Sequence, residues 1–214
     1  LEMALIIENL SAGGGGSTVG QLFMNNPIFG GVPISKFGSD DVKREYLPKL
    51  VSGDMRFAMA LTEPDVGSNT LQIKTFAKRE GNKWLLNGNK IWITCVPQAH
   101  KILVVARTTR YEDAPKRSIG ISNFLIDVDR VGLTHSAIDK VGTNTNPSSL
   151  VFFQDVEVRP DELLGTLDHG WPELPEVLNT ERLVTPAAFV GAGTMARQLS
   201  AHHYRARAVS GHHP

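Results

Sequence analysis

The spacing of hydrophobic and polar residues changes twice along the chain. Up to about residue 54 the apolar residues recur with a helical period, from Arg56 to about Val158 they follow the period of two of a strand, and after Pro160 the helical period returns. This pattern predicts an α+β protein: a helical segment, a central antiparallel β-barrel or sandwich, and the start of a C-terminal helical bundle. We expect domains at residues 1–54, 55–160 and 161–214.

The helical zones carry their own start and stop signals. Ser39 is a favourable N-cap followed by two acidic residues, and Pro48 is typical of the end of that helix, whose tract KREYLPKL is expected to pack as core. In the last zone we predict a short helix around 171–178 and a longer one from 181 towards 210. Pro186 is tolerable there because it would lie in the first turn of the longer helix.

Seven short β-rich runs fill the central zone, and turn residues separate them. The dipeptides Gly81-Asn82 and Asn87-Gly88 are typical of two-residue hairpin turns between such runs. The predicted runs are FAMALT, LQIKTFAKR, KWLLNG, KIWIT, KILVVART, IGISNFLIDVD and SLVFFQDVEV.

A glycine run from Gly13 to Gly16 invites comparison with a phosphate-binding loop. It lacks the Lys-Ser/Thr ending of such a loop, and no strand pattern precedes it. We therefore interpret the run as a flexible connection between helical segments.

Composition narrows the class of protein. The chain has 214 residues, and its 22 basic residues balance its 22 acidic ones, which argues against a general nucleic-acid or membrane-surface binder. The single cysteine, Cys95, has no partner for an internal disulfide, which fits a reducing compartment. The first residues, LEMALIIENL, begin inside an amphipathic pattern, and the last helix ends in GHHP with apolar residues uncovered. We expect the chain to be part of a longer protein.

The tract LTEPDVGSN, Leu61 to Asn69, holds the densest group of functional side chains. It sets hydroxyls and free backbone N–H groups at a sharp reversal, where Gly67 and Ser68 could approach a negatively charged group. A plain turn at the edge of the β-domain, capped by Ser68, is the alternative. Histidine pairs at His202-His203 and His212-His213 do not indicate a metal site, because no acidic residue or cysteine alternates with them.

LTEPDVGSN followed about two dozen residues later by KIWIT, then GTNTNPSSLVFFQDVEV and LNTERLV, resembles the acyl-CoA dehydrogenase family of flavoproteins. The resemblance covers nearly the whole chain. It implies FAD as the cofactor, an acyl-CoA substrate and removal of an α-proton by a glutamate. It also implies an electron-transfer flavoprotein as acceptor, a homo-oligomer of two or four chains, and an intracellular location in the bacterial cytoplasm or an organelle matrix, mitochondrial or peroxisomal.

The same resemblance assigns roles to individual residues. The residues expected to contact the flavin are Leu61, Thr62, Gly67, Ser68, Trp92, Ile93 and Thr94, and those expected at the acyl-CoA site are Ser68, Asn146 and Arg182. In KIWIT, strict strand alternation puts Lys90, Trp92 and Thr94 on one face, so that Trp92 covers the flat ring and Thr94 reaches its N5 edge. A plain core tryptophan is the alternative.

Glu181 is the acidic residue that matches the family's catalytic base. It begins an E-R-L tract, as in the isovaleryl and long-chain types, and no Asp or Glu follows it in the chain. A glutamate favoured by a helix start or paired with Arg182 is the alternative, and the base could lie in a segment beyond Pro214. Asn69 replaces the usual Asp after G-S. The stretch from Thr143 to Ser149 lacks the family's arginine and S-D-T run, which leaves the CoA contact at Asn146 open.

Three other functions remain open from the sequence. An acyl-CoA oxidase or nitroalkane-type flavin oxidase shares the scaffold and differs in passing electrons to oxygen. A non-catalytic relative could bind flavin or acyl-CoA. A barrel that binds oligonucleotides is disfavoured, because basic and aromatic residues do not interleave along a surface.

Overall fold

The computed structural model describes residues 1–207. Contacts divide the chain into two compact units, residues 25–179 and residues 1–24 with 180–207. The helices are α1 (Glu2–Leu10), α2 (Gly16–Phe23), α3 (Val32–Phe37), α4 (Asp40–Ser52) and α5 (Gly170–Ala206). The strands are β1 (Phe57–Ala60), β2 (Phe76–Glu80), β3 (Lys83–Thr94), β4 (Lys101–Arg107), β5 (Ile121–Asp127), β6 (Leu133–Ile138), β7 (Ser148–Val158) and β8 (Leu163–Leu164). No helix within these residues is long and apolar enough to cross a membrane.

The eight strands form one mixed sheet in the order β6-β7-β3-β2-β4-β5-β8, with β1 also paired to β4. The predicted α+β class and the helix–sheet–helix order are confirmed, but the predicted antiparallel barrel or sandwich is corrected to one open, mixed sheet. Both β1 and β2 run parallel to β4, and they pair with it at successive positions, from Phe57 opposite Lys101 to Phe76 opposite Arg107. Within residues 1–207 the end strands β6 and β8 do not pair with each other, so the sheet stays open.

A cluster of buried apolar side chains covers one region of this sheet. Strand β4 is buried along its whole length, and Trp84 packs against Phe124 with ring centroids 5.5 Å apart. Burial of this apolar surface is the main favourable contribution to folding of the sheet. The cluster consists of Ala58, Ala60, Ala77, Trp84, Leu86, Ile93, Val96, Ile102, Val104, Ala106, Phe124, Ile126, Leu133, Val151, Phe153, Val156 and Val158.

The two predicted hairpin turns have opposite outcomes. Gly81-Asn82 does join β2 to β3, since Glu80 pairs with Lys83. The turn at Asn87-Gly88 is wrong, because KWLLNG and KIWIT form the single strand β3 and its pairing with β7 shifts register next to Gly88. Gly88 has a φ of 142°, and a Cβ there would lie 2.6 Å from the Thr75 hydroxyl. Glycine is thus required for a bulge and a close approach, which local sequence does not separate from a turn.

Strand β6 has no counterpart among the predicted runs. Thr134 to Ala137 are exposed, and Leu133 is the one buried residue of the strand. An edge strand with so little apolar alternation gives no strand signal in the sequence. It forms because its backbone pairs with β7 along its whole length.

Helix α4 begins where the sequence indicates and ends later. The N–H of Val42 donates to the Ser39 hydroxyl at 3.3 Å, and Gly53 ends the helix in a left-handed conformation with a φ of 83°. Pro48 lies inside the helix, so the predicted end is wrong, and so is the core role of KREYLPKL, because no residue of α4 is fully buried. The exposed helix lets water satisfy the carbonyl that the proline cannot reach.

Helix α5 replaces the two helices predicted after residue 160. It runs from Gly170 to Ala206, so Pro186 lies in its interior and Glu181 does not begin a helix. No glycine or proline stands between 176 and 185 to stop the helix. In the other helical zone, Gly14 and Gly16 have φ values of 116° and 59°, and the helical backbone is interrupted there between α1 and α2. His212-His213 lie outside the described residues.

Candidate functional site

Residues 61–75 leave the sheet after β1 and return to it at β2. Glu63 and Val66 exchange both backbone hydrogen bonds, at 3.1 and 3.0 Å, and so close a tight turn around Pro64 and Asp65. Val66 is buried beneath this turn, whereas Gly67 and Ser68 are exposed. The tract LTEPDVGSN therefore forms a surface excursion whose base is fixed.

Strand β3 has a second irregularity at KIWIT. Four residues of β3, from Lys90 to Ile93, lie opposite the three residues from Val151 to Ser149 of β7, and Trp92 takes a φ of 63°. Lys90 is fully buried and Ile93 is 2% exposed, whereas Trp92 is 55% exposed. The predicted face shared by Lys90 and Trp92 is wrong, because the bulge inserts one residue and breaks the alternation. The bulge turns the indole of Trp92 out to the surface.

Backbone hydrogen bonds bring the two motifs together. The N–H of Ile91 donates to the carbonyl of Thr62 at 2.9 Å, so the end of LTEPDVGSN nearest β1 lies against KIWIT. At the other end of KIWIT, the N–H of Cys95 donates to the carbonyl of Pro147 at 2.7 Å, and Thr94 pairs with Ser148. Three segments singled out in the sequence are therefore neighbours in the sheet.

These segments present groups that suit a planar, anionic cofactor. Within residues 1–207 no hydrogen bond is found for the side-chain hydroxyls of Thr62, Ser68 or Thr94, which are exposed or partly exposed. No atom lies within 4 Å of where a Cβ of Gly67 would be, which leaves its backbone accessible. We call Thr62, Gly67, Ser68, Trp92 and Thr94 the candidate cofactor surface. Open hydroxyls, an accessible glycine and an exposed ring fit the polar edge, pyrophosphate and ring of a flavin dinucleotide.

Other predicted contact residues are less accessible. Leu61 is partly buried, and Ile93 belongs to the apolar cluster of the sheet. Asn146 is 1% exposed, and its carbonyl accepts a hydrogen bond from Lys140 Nζ at 2.6 Å. Leu61 and Ile93 adjoin residues of the candidate cofactor surface in the chain, and Asn146 precedes Pro147, whose carbonyl accepts the N–H of Cys95. None of the three has much exposed surface of its own.

An ion pair beneath the two motifs has no role assigned from the sequence. Lys90 Nζ donates to Glu63 Oε1 at 2.9 Å and to the carbonyl of Leu61 at 2.8 Å. Burial would raise the pKa of Glu63, but the charge of Lys90 and hydrogen bonds from Lys74 and Thr75 hold that pKa below its ordinary value. Burial lowers the pKa of Lys90 to about 8, although Glu63 opposes the change. Both groups are therefore charged at neutral pH.

One signal in the sequence could have indicated this pair. Lysine is rarely fully buried unless it has a partner, and Lys90 stands within a strand whose neighbouring runs are strongly apolar. Glu63 is one of two acidic residues of the other motif, and Asp65 is the second. The bulge that turns Lys90 inward could not be seen in the sequence.

Glu181 and Arg182 lie in the unit formed by residues 1–24 and 180–207. Glu181 is partly buried in α5, and within that unit its carboxylate has no ion pair. Burial raises the pKa of Glu181, and the charge of Arg182 only partly offsets this effect. A raised pKa suits a carboxylate that has to take up a proton near neutral pH. Within residues 1–207, no group of three or more His, Cys, Asp or Glu side chains is arranged to hold a metal ion.

Comparison with known proteins agrees with the motifs. The model of the acyl-CoA dehydrogenase N-terminal domain matches residues 1–54, and that of the acyl-CoA dehydrogenase middle domain matches residues 58–156. The chain belongs to the acyl-CoA dehydrogenase family. FadE12, an acyl-CoA dehydrogenase of Mycobacterium tuberculosis H37Rv, is 33% identical over 97% of this chain and 52% of its own. The mitochondrial isovaleryl-CoA dehydrogenase of Pongo abelii is 32% identical over 89% of this chain and 44% of its own.

Two solved structures are similar to this chain in fold. A glutaryl-CoA dehydrogenase from Mycobacterium smegmatis in complex with FADH2 superposes with a TM-score of 0.85 at 28% identity, covering 98% of this chain and 52% of that one. The prolyl acyl carrier protein oxidase AnaB superposes with a TM-score of 0.90 at 26% identity, covering 98% of this chain and 55% of that one. The chain spans about half the length of the curated relatives it matches.

Proposed function

We propose that the protein of which this chain is a part catalyses FAD-dependent α,β-dehydrogenation of an acyl-CoA thioester. Bound FAD would supply the acceptor for the hydride that leaves the β-carbon. The hydroxyls of Thr62 and Thr94 would bind the polar edge of the flavin, and Trp92 would cover its ring. Gly67 and Ser68 would hold the pyrophosphate through backbone N–H groups and a hydroxyl.

One observation supports this function above the others. A generic turn and a generic strand would have no reason to meet, but LTEPDVGSN and KIWIT are joined by the hydrogen bond from Ile91 to Thr62. Both motifs also carry side-chain hydroxyls without a hydrogen bond within residues 1–207, at Thr62, Ser68 and Thr94. A plain edge turn and a core tryptophan would not leave Trp92 more than half exposed. The 28% identical neighbour that was solved with FADH2 adds support from outside the chain.

Glu181 is our candidate for the base that removes the α-proton. Its carboxylate must be ionised to accept the proton, and its raised pKa brings the proton affinity closer to that needed near neutral pH. The similarity to an isovaleryl-CoA dehydrogenase supports the position, since the resemblance places the base of that type in an E-R-L tract. Arg182 and Ser68 would contact the acyl-CoA, and Leu61, Ile93 and Asn146 would complete the walls of the two sites.

The surroundings of this reaction are also proposals. We propose domain divisions near residues 54 and 160, a homo-oligomer of two or four chains, and an electron-transfer flavoprotein as acceptor. We place the protein inside the cell, in the bacterial cytoplasm or in a mitochondrial or peroxisomal matrix. The bacterial and mitochondrial relatives support this location without choosing between the compartments.

The test uses the full-length protein, purified without air and titrated with acyl-CoAs of graded length and branching. We expect a flavin spectrum that one of these thioesters bleaches. Glu181→Gln should keep the spectrum and lose the bleaching, because the amide cannot accept the α-proton. A full-length protein that is colourless and takes up no FAD would overturn the function, and bleaching retained in Glu181→Gln would move the base elsewhere.

Oxidase chemistry is the second candidate, and the likeness to AnaB favours it. Such an enzyme would use the same groups to bind flavin and would pass the electrons to oxygen. Oxygen uptake measured in parallel with reduction of a dye separates the two functions. If oxygen is consumed in proportion to product, the protein is an oxidase. If turnover requires the dye as electron acceptor, it is a dehydrogenase.

A further inference from the structure

Glu63 and Lys90 are buried in the two segments that carry the candidate cofactor surface, and the proposed reaction gives neither of them a task. Glu63 is 4% exposed and Lys90 is fully buried. Their sequence neighbours Thr62, Ile91 and Trp92 are partly or largely exposed. A charged pair is thus buried where the surface above it is open and polar.

The pair connects three separate segments of backbone. Lys90 extends from β3 to the Leu61 carbonyl at 2.8 Å. Glu63 Oε2 accepts the Lys74 N–H at 2.6 Å, and its Oε1 accepts the Thr75 N–H at 2.9 Å. The single carboxylate therefore joins the start of the 61–75 excursion to its end, and Lys90 joins the start to the bulge in β3.

Stability alone does not account for this arrangement. Desolvation of two buried charges cancels much of their attraction, and apolar residues of similar volume are often as stable or more so. Charge-assisted hydrogen bonds are directional, so this pair fixes the positions of backbone groups as well as holding them together. A loop that carries ligand groups gains from such fixed positions, because less order has to be imposed when the ligand binds.

We propose that Glu63 and Lys90 are a positioning pair that holds the Leu61–Thr62 backbone against the Trp92 bulge and so sets the flavin-binding geometry. This inference rests on the proposed function, because it takes the ligand of the surface to be FAD. The two side chains do not touch the cofactor. They act through the Ile91-to-Thr62 hydrogen bond and through the base of the turn that presents Gly67 and Ser68.

The main test compares Glu63→Gln with the unchanged full-length protein. We expect the variant to bind FAD about tenfold or more weakly after removal and re-addition of the cofactor, with a shifted flavin absorption band. In the cofactor-free protein we expect faster amide exchange in peptides that cover residues 61–75 and 88–94. The glutamine amide cannot accept both backbone N–H groups and the lysine, so the three segments lose their common anchor.

Glu162→Gln is the matched control. Glu162 is also a buried carboxylate, 5% exposed, and it pairs with Arg130 in the same compact unit. Within residues 1–207 its carboxylate bonds to Arg130 and Arg159 and not to either motif. The control should therefore lower the unfolding temperature, while FAD affinity, the flavin band and exchange at 61–75 stay as in the unchanged protein. If the role of Glu63 is purely structural, Glu63→Gln and Glu162→Gln should lose FAD affinity in the same proportion to the unfolding free energy that each one loses.

A second variant keeps the test decisive if Glu63→Gln does not fold. Glu63→Gln combined with Lys90→Met removes both charges, so no uncompensated ion is left in the interior. We expect this double variant to fold and still to bind FAD about tenfold or more weakly. If FAD affinity, the flavin band and amide exchange are unchanged in these variants, the positioning role is overturned and the proposed function is not. If the full-length protein takes up no FAD, the proposed function is overturned and this inference with it.

Discussion

Glu63 and Glu162 are buried carboxylates of the same sheet unit with almost equal exposure, 4% and 5%, but their surroundings differ. Glu63 has one fully buried cation and accepts two backbone N–H groups from another segment. Glu162 faces Arg130, which is 16% exposed, and Arg159, which is 51% exposed. The carboxylate of Glu162 therefore lies near the solvent-exposed surface, and its charge is balanced by two arginines.

This difference separates two uses of a buried charge. Around Glu162, Arg130 also reaches Asp127, and the network ties a turn of the chain to the end of β5. The nearby backbone is the turn between β5 and β6 and the short helical turn at Pro160–Glu162, and no residue of the candidate cofactor surface belongs to it. Around Glu63 the backbone forms an excursion on one side and a bulge on the other, and both carry residues of the candidate cofactor surface. A charged pair that holds segments carrying exposed ligand-type groups points to a ligand site more than a charged pair does in general.

The largest expected contrast is between Lys90→Met and Arg130→Met. Lys90→Met leaves the Glu63 carboxylate buried without a cation, which should cost about 3–5 kcal/mol of unfolding free energy. Arg130→Met should cost less, because Arg159 remains 3.2 Å from Glu162 and water can approach. Denaturant unfolding of the full-length protein measures both. Equal losses would show that the two pairs do not differ in the way described.

Gly88→Ala and Gly132→Ala probe the backbone beside each pair. Gly88 has a φ of 142° and faces Thr75, and Gly132 has a φ of 87° and faces the carbonyl of Gln154. Each substitution should cost roughly 2–4 kcal/mol through strain and crowding. Only Gly88→Ala should also weaken FAD binding, because Thr75 donates its N–H to Glu63. FAD affinity measured beside thermal unfolding checks this, and equal FAD loss in both variants would contradict it.

Acid should act more strongly through Glu63 than through Asp127. Burial would raise the pKa of each carboxyl, but cations and hydrogen bonds hold both below their ordinary values of 4.5 and 3.8. A lowered pKa gives stability that is complete above the ordinary value and is lost as the pH falls through the folded-state value. The stability gap between the unchanged protein and Glu63→Gln should therefore narrow as the pH falls below about 4.5, the ordinary pKa of the carboxyl.

Asp127→Asn is the reference for that experiment, because its side chain is 38% exposed and solvent screens its partners. The difference in stability between the unchanged protein and Asp127→Asn should narrow less over the same pH range. Unfolding temperatures of the three proteins at steps of pH measure both gaps. A gap for Glu63→Gln that stays constant would show that Glu63 does not have a lowered pKa.

The smallest effect is expected at the exposed ion pair of β3 and β7. Lys83 and Glu157 are 43% and 52% exposed, and their ammonium and carboxylate groups are 2.5 Å apart. Exposed pairs of this kind contribute little, because water already solvates both charges. Lys83→Met should leave the unfolding midpoint and the FAD affinity close to those of the unchanged protein. If Lys83→Met loses as much unfolding free energy as Arg130→Met, the exposure of an ion pair does not determine how much it contributes to stability.

Sequence patterns predicted the parts of the fold that follow from local chemistry. The Ser39 cap, the Gly81-Asn82 hairpin and the main strands depend on residue types within a few positions of each other, and they are confirmed. Asn87-Gly88 and Pro48 were misinterpreted because tertiary contacts decide between a turn and a bulge, or between the end and the interior of a helix. The parallel pairing of β1 and β2 with β4 joins distant segments and has no local signal.

The candidate site was predictable as motifs and not as geometry. LTEPDVGSN and KIWIT indicate the family, but the predicted shared face of Lys90 and Trp92 is wrong because a bulge adds one residue. Their meeting through Thr62 and Ile91 depends on the sheet. The roles of the predicted contact residues and of Glu181 stay predictions.

Strands β1 and β2 follow one another along the same side of β4, with residues 61–75 between them. The pairing of the sheet is therefore specified by the segments on either side of this stretch. A designer could exchange the stretch between relatives by cutting at Ala60 and Phe76, provided that Glu63, which accepts a hydrogen bond from Lys90, and the buried Val66, Ile73 and Thr75 are carried along. Diversification of ligand chemistry on a constant framework is the evolutionary counterpart of that experiment.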